Sequence, residues 1–177
     1  HNAVMRPLAQ LVEQGVSFTY ATARSLHSSS KVTQGLTKRL PVTIYNGAFV
    51  RRADTGENLI AQTFSPAQRK RVEQALTQAG LSPLVYTLDG DAERVLWRPE
   101  TAGPGVARYI QSRAGDSRLL PVNPQEPLYR GEIFYFTCIG TREGLLPAWE
   151  QLRREPGLLA LLQEEIYQPE EFWLEVM

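Results

Sequence analysis

The 177-residue sequence predicts an α/β protein in which a parallel β-α-β start is followed by an antiparallel-leaning α+β unit. Two short apolar runs, residues 16–21 and 42–45, stand one helix length apart. Each ends on small polar residues, Thr22, Ala23 and Arg24 after the first and Asn46, Gly47 and Ala48 after the second. Strands that discharge polar groups at their carboxyl ends are how a parallel sheet builds a ligand-binding edge. Beyond residue 48, apolar runs of strand length alternate with stretches of helical periodicity, and turn residues separate them.

The elements follow in order. Val4, Leu8, Leu11 and Val12 share one helical face over residues 3–14, and Gly15 is placed to end that helix. After the first strand, residues 25–40 are rich in hydroxyls, with Val32, Leu36 and Leu40 forming a narrow apolar stripe, and Pro41 stops the helix they predict. Residues 49–52 and 59–63 flank the turn signal DTGEN as a β-hairpin. Ser65 and Pro66 read as N-cap and first-turn proline of a helix with Val72, Leu76 and Ala79 inward. Residues 84–88 and 93–97 flank LDGDA as a second hairpin. Residues 105–114 predict a helix, 121–127 a loop and 133–139 a strong strand. Residues 145–154 predict a helix, 158–162 a short apolar turn or helix, and 164–167 and 172–177 strands.

Lys plus Arg and Asp plus Glu are 19 each, so no broad field draws the chain to nucleic acid or an anionic membrane. No apolar run nears the roughly 20 residues that cross a bilayer, and no signal pattern opens the chain. The single cysteine, Cys138, lies inside EIFYFTCIG and reads as a small core hydrophobe, which fits a reducing cytoplasm. The chain opens at His1 already in helical register and stops inside an apolar run at Met177, so a fragment cut at both ends is expected.

The residues at the two strand ends carry a resemblance. Thr22-Ala23-Arg24, a helix-length spacer and Asn46-Gly47-Ala48 resemble the TGR-like and NGA segments of the haloacid dehalogenase superfamily, in particular its Cof-type sugar-phosphate phosphatases. The layout match spans nearly the whole chain, and the specific motifs about 30 of its residues. What the resemblance implies is a partial Rossmann-like core at residues 1–51, an inserted α+β cap of the C2 type at 52–172, and a strand returning toward the core at 173–177. It implies an Mg²⁺-dependent phosphatase of small phosphorylated metabolites that works through an aspartyl-phosphate. Thr22 and Ala23 would bind phosphate, and Arg24, Asn46 and Gly47 would lie on the substrate side. Ala23 departs from the usual glycine.

The sequence holds no DxDGT pattern, no acidic metal loop and no lysine beyond Lys31, Lys38 and Lys70. The catalytic aspartate, the phosphate-binding lysine and the Mg²⁺ ligands are therefore expected outside this chain. The alternative is a non-catalytic binding or interaction domain that has lost the nucleophile. A third possibility, a phosphatase of the mannosyl-phosphoglycerate or trehalose-phosphate type, differs in cap detail rather than chemistry.

Other features have plainer readings. Asp89, Gly90 and Asp91 carry a glycine between aspartates, the wrong order for a nucleophile loop, and read as a hairpin turn. GPGVAR lacks the spacing of a phosphate loop and reads as a helix start. Glu164, Glu165, Glu170 and Glu171 read as solvated turns. His27 is either a phosphate contact or an exposed helix residue. Trp97, Trp149 and Trp173 read as packing residues. Tyr86, Arg94 and Arg98 are the cap residues offered for substrate contact.

Overall fold

A computed structural model describes residues 2–33, 36, 40–90 and 92–177. The chain forms two compact units, His1–Gln62 and Thr63–Met177.

The first unit opens with helix α1 (Asn2–Glu13). The Val16 N–H reaches back to the Leu11 carbonyl at 3.0 Å, and Gly15 takes φ +93° between them, the left-handed closure that favours glycine. Helix α2 (Leu26–Thr33) follows, capped by Ser25, whose Oγ accepts the Ser28 N–H at 3.1 Å. The rest of the helix expected through residue 40 falls largely outside the described residues. Strands β1 (Pro41–Ile44), β2 (Phe49–Arg52) and β3 (Asn58–Ala61) form an antiparallel sheet in that order, the last two being the hairpin around DTGEN. Val42, Ile44, Tyr45, Ala48 and Phe49 are buried, and the residues of β3 are exposed.

The strand expected at residues 16–21 is reduced to one parallel bridge between Ala21 and Thr43. Thr43 N–H donates to the Tyr20 carbonyl at 3.0 Å and Thr22 N–H to the Thr43 carbonyl at 2.9 Å. Extending this ladder toward residue 18 would need an N–H at position 41, and Pro41 has none. Thr19 instead donates its hydroxyl to the Pro41 carbonyl. The parallel sense of the start survives, but its length does not.

The second unit holds a six-stranded sheet in the order β6-β5-β4-β7-β9-β8. Its elements are α3 (Pro66–Gln78), β4 (Leu84–Asp89), β5 (Ala92–Trp97), α4 (Pro104–Ser112), β6 (Leu119–Pro121), β7 (Glu132–Gly140), α5 (Arg142–Leu152), β8 (Ala160–Glu164) and β9 (Phe172–Val176). Only the β5–β6 pairing is parallel. Ser65 caps α3 in a reciprocal box with Gln68, as its position before Pro66 predicts. Val72, Ala75 and Leu76 of α3 and Leu145, Ala148 and Leu152 of α5 share a core with Val85, Phe136, Cys138 and Leu174 from the sheet.

Three expectations change here. Residues 158–162, expected as a turn or helix, enter β8, because Ala160 and Leu162 alternate toward the core while pairing with Val176 and Leu174 of β9. Residues 164–167, expected as a strand, end β8 and turn, leaving Ile166 85% and Tyr167 83% exposed. The loop expected from residue 121 is preceded by β6, a strand too short to show alternation. The two units divide after Gln62; residue 51 lies within β2, and residues 173–176 sit in β9 between β7 and β8. Among the described residues, no helix is long and apolar enough to cross a membrane.

Candidate functional site

The two sequence-predicted strand ends meet in the first unit. Asn46 N–H donates to the Thr22 carbonyl at 3.1 Å, and Tyr45 N–H to the Arg24 carbonyl at 3.2 Å. The Thr22–Arg24 turn is closed by its own threonine, whose Oγ1 accepts the Arg24 N–H at 3.2 Å. That contact uses one of the two lone pairs of the Thr22 hydroxyl, whose O–H remains a donor. Thr22 and Gly47 are half-buried, and Ala23, Arg24 and Asn46 are exposed. Arg24 brings a permanent positive charge and Asn46 a carboxamide with two N–H donors.

The turn after β1 has unusual backbone geometry. Asn46 lies at φ 52°, ψ 28°, and Tyr45 and Gly47 also take positive φ, at 50° and 101°. A Cβ built on Gly47 meets nothing within 4 Å, so glycine is needed there for the backbone angle and not for space. Tyr45 is the residue sequence reasoning missed. Its apolar context marks it as the end of a strand, and nothing in the residue type announces a left-handed backbone.

Hydroxyl, guanidinium and carboxamide groups suit an anion. Magnesium takes carboxylate oxygens and water, and this set offers no carboxylate. Among the described residues, no group of three or more His, Cys, Asp or Glu is placed to hold a metal ion. The residues of this cluster do not fit Mg²⁺.

The remaining candidates separate from this cluster. His27 is exposed on the first turn of α2, and the neighbouring Ser29 is occupied by the Tyr20 hydroxyl at 2.9 Å. Tyr86 is buried with its hydroxyl 2.8 Å from that of Tyr109. Arg98 ties down a loop through the carbonyls of Asn123 and Glu126, and Arg94 is half-buried on β5. Asp89 ends β4 and Gly90 turns at φ 61°, as a hairpin requires, while Asp91 lies outside the described residues. GPGVAR opens α4 with Gly103 as its N-cap. Glu171 pairs with Arg108, and around the β8–β9 turn Glu164 and Glu170 are exposed and Glu165 is half-buried. Trp149 donates to the Ala160 carbonyl at 3.2 Å. Cys138 is 2% exposed, and burial pushes its thiol up to about 12, a core hydrophobe and not a nucleophile.

The fold is that of an α/β chain in which the turns after residue 21 and after β1 meet at one sheet edge. The sequence profile of the haloacid dehalogenase-like hydrolases matches residues 2–96. The chain belongs to that family. A search of curated proteins by sequence found no match. Among solved structures, a protein from Streptococcus mutans aligns over 100% of this chain and 62% of its own, at 13% identity and TM-score 0.69. A phosphatase of the same superfamily from Bacteroides thetaiotaomicron aligns over 99% of this chain and 59% of its own, at 15% identity and TM-score 0.68. A subclass IIB sugar phosphatase aligns over 98% and 62%, at 13% identity and TM-score 0.64. The chain thus spans about three fifths of the length of these proteins, whose fold it shares.

Proposed function

We propose that this chain is the phosphate-orienting part and the cap of a phosphatase acting on small phosphorylated metabolites such as sugar phosphates. In this reading the first unit is the partial core and the second is the specificity cap. A phosphoryl group in transfer spreads negative charge over its oxygens and is stabilised by fixed donors and cations. The Thr22 hydroxyl donates to a phosphoryl oxygen, and Ala23 contributes its backbone beside it. Arg24, Asn46 and Gly47 line the substrate side. The aspartyl-phosphate chemistry and its Mg²⁺ belong to residues this sequence does not contain. A cytoplasmic site of action accompanies this reading.

The observation that carries the proposal is the backbone tie between Asn46 and Thr22, which holds two donor-bearing turns together at one sheet edge. Family membership supports hydrolase chemistry. The absence of DxDGT in this sequence favours a second reading, a binding domain that grips phosphorylated ligands without hydrolysing them. The full-length gene product, incubated with Mg²⁺, sugar phosphates and a generic aryl phosphate, is expected to release inorganic phosphate. Binding without release would favour the second reading, and neither binding nor release would remove both.

A further inference from the structure

Among the described residues, positive φ is confined to glycines and to Tyr45, Asn46 and Glu170. Asparagine and glycine reach this region readily, whereas a bulky aromatic residue there is a conformational outlier. Tyr45 is also 4% exposed, and its ring meets Phe49 edge-on with centroids 6.1 Å apart. The surrounding core therefore holds the residue in a backbone state it would otherwise leave. Strain of this kind persists where the structure over-determines it, and it collects where a segment must be aimed. Core packing alone offers no reason for it: Phe49, close by, fills the same core from an ordinary strand.

The main chain of Tyr45 has contacts on both sides of the cluster. Its N–H donates to the Arg24 carbonyl at 3.2 Å, and its carbonyl accepts the Ala48 N–H at 3.0 Å, closing the turn that displays Asn46. The next N–H, that of Asn46, reaches Thr22. We propose that Tyr45 is a positioning residue: its buried ring locks a left-handed turn that aims Asn46 and registers it against Thr22 and Arg24, without touching the ligand itself. This role rests on the phosphate reading above and adds to it the element that sets the donors' geometry.

The test uses the full-length gene product with Tyr45→Phe, Tyr45→Gly and Thr22→Val, inorganic phosphate as the binding probe, and amide hydrogen exchange at Asn46. Tyr45→Phe keeps ring and backbone and is expected to bind phosphate like the wild type. Tyr45→Gly relieves the angle but releases the turn. Exchange at Asn46 is then expected to accelerate and phosphate affinity to fall about tenfold. With a phosphate ester, KM is expected to rise by about the same factor while kcat holds, the mark of lost ground-state positioning. Should Tyr45→Gly fail to fold, Tyr45→Asn, which accepts the same angles without the ring, carries the same expectations. Unchanged phosphate affinity in the glycine or asparagine variant, alongside lost affinity in Thr22→Val, overturns the role of Tyr45 alone. So does a fall in kcat that merely follows the folded fraction. A wild-type protein that binds no phosphate overturns the functional reading, and this role with it.

Discussion

Asn46 donates its backbone N–H to the carbonyl of Thr22 at 3.1 Å, joining the turn that follows β1 to the turn that precedes α2. The link matters because the two turns belong to segments a helix apart in sequence, and each displays a different kind of donor. Thr22 supplies a hydroxyl proton, Arg24 a charge and Asn46 a carboxamide. The main-chain tie between Asn46 and Thr22, and the Thr22 Oγ1 that accepts the Arg24 N–H, bring the three residues to one sheet edge, the edge proposed above to face an anion.

The second unit offers a packing test. A Cβ placed on Gly105 would lie 2.3 Å from Cγ2 of Ile139 on β7, closer than any relaxed contact, so α4 sits on the sheet only because residue 105 has no side chain. Gly105→Ala is expected to destabilise the chain by about 1–3 kcal/mol, the usual penalty for overpacking a tight contact. Gly103, the N-cap of α4, whose Cβ would meet nothing within 4 Å, is the comparison: Gly103→Ala is expected to lower the midpoint only by the cost of a poorer cap, about 0.5 kcal/mol, and so by less than Gly105→Ala. Equal midpoints for the two variants would show that α4 does not pack as described.

Glu175 provides a pH test. Burial raises its pKa above the ordinary value of 4.5, and a hydrogen bond from Tyr135 pulls it partly back. The folded chain then holds a proton that the unfolded chain has already released. Stability from this group is complete below the unfolded value, falls as pH rises through the folded value, and is level above it. Glu175→Gln keeps an acceptor for Tyr135 and removes the titration. In urea denaturation, the variant's midpoint is expected to gain on the wild type as pH rises from about 4 upward. Parallel curves for the two proteins would mean that the carboxyl is not buried in its charged form.

Much of this architecture was legible from residue order, and the failures have physical causes. The Ser65-Pro66 start of α3, the β4–β5 hairpin and β7 follow from capping chemistry and apolar runs, and these signals are local. The cut-down strand before Thr22 was not legible, because its length is decided by Pro41, a residue on the partner strand. The strand β8 was misread because Ala160 and Leu162 bury one face only once β9 lies alongside, a long-range pairing with no local mark. At the site, the residue types of Thr22, Arg24 and Asn46 pointed to the edge. The left-handed backbone of Tyr45 did not show, since conformation at a tyrosine is imposed by its surroundings and not announced by its type.

The most direct measurement is the affinity of the full-length gene product for inorganic phosphate, compared with Thr22→Val and Thr22→Ser. A hydrogen bond to a charged group contributes about 1.5–3 kcal/mol, so losing the hydroxyl is expected to weaken phosphate binding roughly 10- to 100-fold, and serine to restore most of it. If Thr22→Val remains folded and binds phosphate as tightly as the wild type, the edge formed by Thr22, Arg24 and Asn46 is not a phosphate site.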